Sequence, residues 1–158
     1  MRIEPYSSSR AMEIADLFHA AVHAIDSSIY TPEQKEAWAP TPPDYAHWAG
    51  RLDTKRPFMA IIGDRVAGFM ELDSDGHIDC TYTHPDFQAR GVASALYAHL
   101  LEEALRRNMT RLYVEASFVA RPFFERRGFV MLNQNEVRRH GVTLTNFSME
   151  KDLSVPDA

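Results

Sequence analysis

The residues best suited to chemistry lie between positions 77 and 94. Thr83-His-Pro-Asp-Phe-Gln-Ala-Arg-Gly-Val-Ala-Ser94 starts where a strand-like segment stops at Pro85 and ends where a helical apolar period begins. A loop that opens a helix leaves first-turn amides free, and with the helix dipole these attract an anion. Gly91 lets backbone approach a phosphate closely. Ala93 and Ser94 keep the mouth open, and Arg90 can add charge to a pyrophosphate. The stretch is neither G-x-x-x-x-G-K-[ST] nor G-x-G-x-x-G, so a P-loop and a dinucleotide fingerprint are both unsupported. Just upstream, His77 and Asp79 are two apart on one predicted strand and share a face. Asp79 is a carboxylate between Ile78 and Cys80, a place where such a group is rarely buried unpaired. Glu71, on the preceding strand, is a third titratable candidate, read as solvated or paired.

These groups need a scaffold, and the periodicities supply one. Arg2 to Tyr6 reads as a short strand, and the Ser7-Ser8-Ser9 cluster offers an N-cap for an amphipathic helix over about 9–25. Thr31-Pro32-Glu33-Gln34 is a compact helix start, with a Thr cap, Pro at the first position and Gln three after the cap. A further short helix runs from Asp44 to Leu52. Strands follow at 58–62, 66–72 and 77–83, the first two joined through Gly63-Asp64-Arg65. The rows Val92/Leu96/Leu100/Ala104 and Ala93/Tyr97/Leu101/Leu105 give a helix over 92–107 a broad apolar face. A strand at 111–115 and a short helix at 120–127, stopped by Gly128, come next. Strands at about 129–139 and 142–150 then close a hairpin through His140-Gly141. This order predicts an α/β fold, a mixed sheet with helices on both faces.

Gln88-Ala-Arg-Gly91-Val-Ala93 resembles the Q/R-x-x-G-x-G/A signature of the GNAT superfamily of acyl-CoA-dependent N-acyltransferases. Phe123-Phe-Glu-Arg-Arg-Gly-Phe129 is similar to the family's F-Y-E-x-x-G-F block. The motif-bearing match spans about 77–130, and Tyr30-Thr-Pro-Glu-Gln and Thr145-Asn-Phe-Ser-Met149 resemble a bacterial subgroup of acetyltransferases. The resemblance implies a mostly antiparallel sheet whose strands splay at a cofactor slot. It implies acetyl-CoA as acyl donor, with no metal. Gln88, Ala89, Arg90, Gly91, Val92, Ala93 and Ser94 would hold the pyrophosphate, and Thr81, Tyr82 and Thr83 would pair with the pantetheine arm. An amide near Tyr82 or Thr83 would hold the oxyanion. Two family positions differ. The tyrosine that can protonate the departing thiolate is Phe124, and an asparagine after the second central strand is Ser117; both are expected beside the pantetheine.

The resemblance implies transfer of an acetyl group to a primary amine by direct attack in a ternary complex. A lysine-like ammonium, with a pKa of about 10.4, cannot attack until it loses a proton. A general base is therefore expected, with Asp79 and His77 as the catalytic candidates. The rival readings are a non-catalytic acyl-CoA-binding sensor, suggested by Phe124, and a protein-binding adaptor using the aromatic N-terminal region.

Other features point to packing. His19 and His23 have metal-compatible spacing, but H-E-x-x-H is missing and no carboxylate cluster is evident beside them in sequence. They are read as lining an acceptor cleft. Trp38, Tyr45 and Trp48 are read as core before cleft wall. Cys80 is read as a buried apolar residue with no evident basic partner to lower its pKa. Arg106-Arg107, Arg126-Arg127 and Arg138-Arg139 are read as solvated or bound to the CoA 3′-phosphate.

Composition sets the outer bounds. The chain has 158 residues, 45% apolar and 25% charged, with a formal charge of −5. That balance is globular, and the charge opposes nucleic acid as a partner. The apolar runs are too short to span a bilayer, and no signal-peptide pattern opens the chain. One cysteine fits a reducing, cytoplasmic location without requiring it. The expectation is a single domain over 1–153 with a flexible 154–158 tail. Its partners are acetyl-CoA and a small amine or peptide acceptor, with a homodimer left open.

Overall fold

A computed structural model describes residues 1–154; most of the expected 154–158 tail lies outside them. The elements are β1 (Arg2–Pro5), α1 (Ala11–His23), α2 (Pro32–Trp38), α3 (Tyr45–Lys55), β2 (Phe58–Ile62), β3 (Arg65–Leu72) and β4 (His77–Thr83). Then follow α4 (Val92–Arg106), β5 (Arg111–Ala116), α5 (Arg121–Glu125), β6 (Val130–Arg139) and β7 (Val142–Asp152). The seven strands form one sheet in the order β1-β2-β3-β4-β5-β7-β6. Every neighbouring pair is antiparallel except β4 and β5. The expected mixed, mostly antiparallel sheet is the observed one.

Local chemistry explains the boundaries. The Gln34 amide donates to Thr31 Oγ1 at 3.1 Å, and the Thr31 amide donates to Gln34 Oε1 at 2.9 Å, so the capping box forms. Asp44 caps α3 by accepting from the His47 amide at 3.0 Å. His140 and Gly141 both have positive φ, 50° and 77°, as a tight two-residue hairpin turn requires. The serine cap at α1 does not form. Ser7 and Ser9 bond each other, Ser8–Arg10 makes a 3₁₀ turn, and α1 begins only at Ala11.

The sheet is covered on both faces. On one, Leu96 and Leu100 of α4 and Phe124 of α5 bury against Ile78, Leu112 and Val114. On the other, Ile14 and Leu17 of α1 and Leu52 of α3 bury against Met59, Ile61 and Phe69. Gly68 permits α4 to approach the sheet closely. A Cβ there would lie 2.7 Å from Val92 Cγ1 and 3.0 Å from the Tyr82 carbonyl oxygen.

One irregularity in this frame positions the site. The parallel β4–β5 pairing holds only at His77↔Tyr113 and Ile78↔Val114. Beyond Ile78 the strands separate, so the rest of β4 lacks a neighbour on its β5 side. The expected splay is present.

Candidate active site

Two cavities meet at the splay. The smaller, about 420 Å³, is lined by Thr81, Tyr82 and Thr83 from β4 and by Gln88, Ala89, Gly91, Val92, Ala93 and Ser94 from the loop and first turn of α4. Ser117, Phe124 and Arg126 complete its far wall. Gly91 is the N-cap of α4 at φ 77°, and no side chain caps the helix there. A left-handed backbone suits glycine, and the uncapped turn directs its amide dipoles at whatever enters. A Cβ on Gly91 would meet nothing within 4 Å, so the mouth is open. Arg127 donates to Ser94 Oγ at 2.7 Å and brings positive charge to the same turn. Arg90 is not among the residues lining this cavity; its guanidinium lies 5.4 Å from the Phe87 ring centre. An elongated anionic ligand fits this slot, phosphate first.

The larger cavity, about 800 Å³, lies on the α1–α3 side and is covered by the β6–β7 hairpin. Phe18, Tyr30, Trp38, Trp48 and Tyr82 form aromatic walls. Trp38 and Trp48 are therefore cavity wall as well as packing, whereas Tyr45 points away and bonds Asp16 at 2.6 Å. Trp38, Tyr82 and Ser117 line both cavities. The two spaces therefore adjoin at these three residues. There Trp38 Nε1 donates to the Tyr82 hydroxyl at 3.1 Å. Burial, first of all, holds the Tyr82 phenol well above its usual range, so it stays protonated.

Beneath the larger cavity lies a charged floor. Arg51 Nη2 donates to Glu71 Oε1 at 2.7 Å, lies 3.0 Å from Asp79 Oδ2, and reaches Cys80 Sγ at 3.1 Å. Lys55 Nζ sits 2.9 Å from both Asp79 Oδ2 and Asp73 Oδ2. His77 completes the set, 3.3 Å from Asp73 Oδ2 through Nδ1 and 2.9 Å from Glu115 Oε1 through Nε2. Burial alone would raise the Asp79 carboxyl, but Lys55 and Arg51 outweigh it and hold it below its usual range. His77 is raised, chiefly by its bond to Glu115 acting against burial. Burial pushes Glu71 up against the pull of Arg51.

The two expected catalytic residues therefore separate. Asp79 lines the larger cavity but is held by two cations; His77 lines neither cavity and stands behind Glu115. Glu71 is fully buried and paired with Arg51. Cys80 does have a basic partner, contrary to expectation, because α3 brings Arg51 to it. Even so, burial drives its thiol well above the ordinary value, so it stays a thiol and a poor nucleophile.

Residues 27–151 match the family model described as an acetyltransferase (GNAT) domain. The chain belongs to the GNAT acetyltransferases. It is 34% identical over 149 residues to an uncharacterized N-acetyltransferase, YafP, of Escherichia coli K12, with 94% of each chain covered. A GCN5-related N-acetyltransferase from Rhodopseudomonas palustris superposes with a TM-score of 0.90 at 35% identity, covering 96% of this chain and 95% of that one. YncA of Salmonella typhimurium, a structure solved with acetyl-CoA, shares the fold at a TM-score of 0.72 and 16% identity, covering 99% and 98%.

Several charged residues around the two cavities were not read from sequence. Glu115 is one; its only signal was its alternation with Val114 and Ala116, which face the core. Arg51 and Lys55, four apart on α3, carry no sequence signal that sets them apart from ordinary surface charges. At α1, Glu36 from α2 approaches His19 and His23, the carboxylate that sequence spacing could not supply. Those groups already have hydrogen-bond partners. His19 Nε2 bonds Thr41, His23 Nε2 bonds the Ala39 carbonyl, and Glu36 accepts from Thr41. They pin α1 to the segment after α2.

Proposed function

We propose that this GNAT protein transfers the acetyl group of acetyl-CoA to a primary amine by direct attack within a ternary complex. One observation carries the reading. The uncapped α4 turn at Gly91 opens into a slot that adjoins a larger, aromatic-walled cavity at Trp38, Tyr82 and Ser117. The first space suits the donor and the second an acceptor.

In this reading the amides of residues 91–94, with Arg126 and Arg127 nearby, hold the pyrophosphate. The unpaired side of Thr81–Thr83 lies along the pantetheine arm. Acetyl-CoA supplies a thioester carbonyl, which an uncharged amine attacks. Ser117 and Tyr82 offer hydroxyls where the cavities meet; Phe124, fully buried among Phe123 and Phe129, offers none. A thiol leaving group, with a pKa of about 8.5, departs near neutral pH without the strong acid that an alkoxide would need.

The floor supports a cationic acceptor. Four carboxylates, Glu71, Asp73, Asp79 and Glu115, share it with two permanent cations, Arg51 and Lys55. With all four carboxylates ionised its charge stays negative even when His77 is protonated, which favours an ammonium over an anion. The reading carries a cytoplasmic location with it. Calorimetry with acetyl-CoA, followed by free-thiol release with primary amines, tests it. Binding plus amine-dependent thiol release is expected. Binding without release from any amine or peptide would favour the sensor reading that Phe124 suggests, and no binding would remove both.

A further inference from the structure

Three carboxylates line the larger cavity among the described residues: Asp44, Asp79 and Glu115. Asp44 caps α3, and Asp79 is held at 2.9–3.0 Å by Lys55 and Arg51. Glu115 differs from both, because among the described residues its only ion-pair partner is the titratable His77. Its side chain remains 42% exposed. It precedes Ser117 by two residues, about 7 Å along an extended chain from where the cavities meet. We infer that Glu115 receives the acceptor ammonium and takes its proton, and that His77 behind it is a positioning residue that shares this proton. The assignment rests on the acetyltransferase reading and deepens it by naming the base and a primary-amine acceptor.

The hydrogen bonds fit the role. Ionised Asp73 can only accept, so it takes the Nδ1 proton of His77 and leaves Nε2 directed at Glu115. Lys55 anchors Asp73 at 2.9 Å, and the Tyr113 ring stacks on the imidazole at 4.7 Å. Asp79 adds negative charge from the same strand, and Asp75 holds the His77 amide at 3.1 Å and accepts from the Tyr113 hydroxyl. The surroundings of His77 are thus three carboxylates close by, with Asp75 and Lys55 behind them. They favour its protonated form.

The proton balance closes. One ammonium proton passes to a Glu115 oxygen and is shared with the Nε2 lone pair of His77, leaving a neutral amine. The amine lone pair then forms the C–N bond at the thioester carbonyl, and collapse of the adduct breaks the C–S bond. The second nitrogen proton leaves with the thiolate as CoA thiol, and the Glu115–His77 pair returns the first to solvent. Joined by one hydrogen bond, the two groups hold that proton as a unit. The unit must start with one proton fewer, so kcat/KM should climb with pH above the ordinary imidazole range of about 6.5.

The test uses the full chain with n-butylamine, benzylamine, spermidine and a peptide with a free N-terminus, read by thiol release. Glu115→Gln should lower kcat/KM for the amine by about 100-fold or more, with acetyl-CoA affinity unchanged by calorimetry. His77→Gln should cost less and remove the rising pH limb. Independently of turnover, NMR titration should show the His77 imidazole pKa falling in Glu115→Gln. Three results would overturn the inference: Glu115→Gln within about threefold of the parent, a larger loss from Asp79→Asn, or an unmoved His77 titration. A parent that binds acetyl-CoA yet acetylates none of these amines overturns it as well. Failure to bind acetyl-CoA would instead sink the underlying acetyltransferase reading.

Discussion

The proposed donor slot and the proposed acceptor cavity are built in different ways from the same sheet. The slot is mainly backbone: an uncapped helix turn, a left-handed glycine and a strand side left open by the splay. The floor of the larger cavity is side chains: Arg51 and Lys55 from α3, Glu71 and Asp79 from neighbouring strands, His77 and Glu115 from β4 and β5. A backbone site tolerates side-chain change as long as its dihedrals survive. A site of buried charges depends on each partner, because losing one leaves another desolvated and unpaired.

That contrast can be broken most forcefully at Arg51. Glu71 is fully buried, and besides Arg51 it accepts from the Cys80 amide at 3.2 Å. Arg51→Met should cost roughly 3–5 kcal/mol, the usual penalty for orphaning a buried charge. Urea denaturation measures it, and adding Glu71→Gln should recover part of the loss. A stability within about 0.5 kcal/mol of the parent would mean the floor is not the interdependent unit described.

Gly91 probes the other side of the contrast. Its Cβ position is open, so Gly91→Val acts through dihedral strain and obstruction of the mouth, not through the core. A β-branched residue held at positive φ costs about 1–2 kcal/mol. The free protein sheds that strain by relaxing the open turn and must regain it to bind, so acetyl-CoA affinity should fall by about 30-fold or less, which is roughly 2 kcal/mol. Thermal unfolding should shift little, and an unchanged Kd would remove the α4 turn from the donor site.

The smallest effect sharpens the floor. Asp79 is lowered when folded, so its stabilisation is present above its unfolded pKa and is lost as pH falls through the folded one. His77 is raised, so its contribution is full below its unfolded pKa and is lost as pH rises through the folded one. Both act together between about pH 4 and 6.5. Melting temperature against pH should show Asp79→Asn losing stability relative to the parent mainly above this acid edge, and His77→Gln mainly below the alkaline one. A pH-independent difference for either would refute the pairing.

Legibility followed the same division. Pro85, Gly91 and the apolar rows of α4 announced the strand–loop–helix junction because each acts through its own backbone or its own helix. The capping box at Thr31 and the tight turn at His140-Gly141 were readable for the same reason. The serine cap failed because Ser7 and Ser9 satisfied each other, a choice between local bonds that spacing does not settle. The role of Glu115 was not legible either. Its position near a cavity depends on the β4–β5 register, and its partner His77 lies 38 residues away.

The sequence by itself determined the order of elements and the open turn at Gly91, since these are written in local dihedral preferences and apolar periods, and its motifs carried the resemblance to the family. Only the tertiary structure decided that Arg51 holds two carboxylates and that Glu115 lines the larger cavity with His77 behind it. Coulomb and hydrogen-bond interactions are settled over a few ångströms, and residues that far apart in space can be anywhere along the chain.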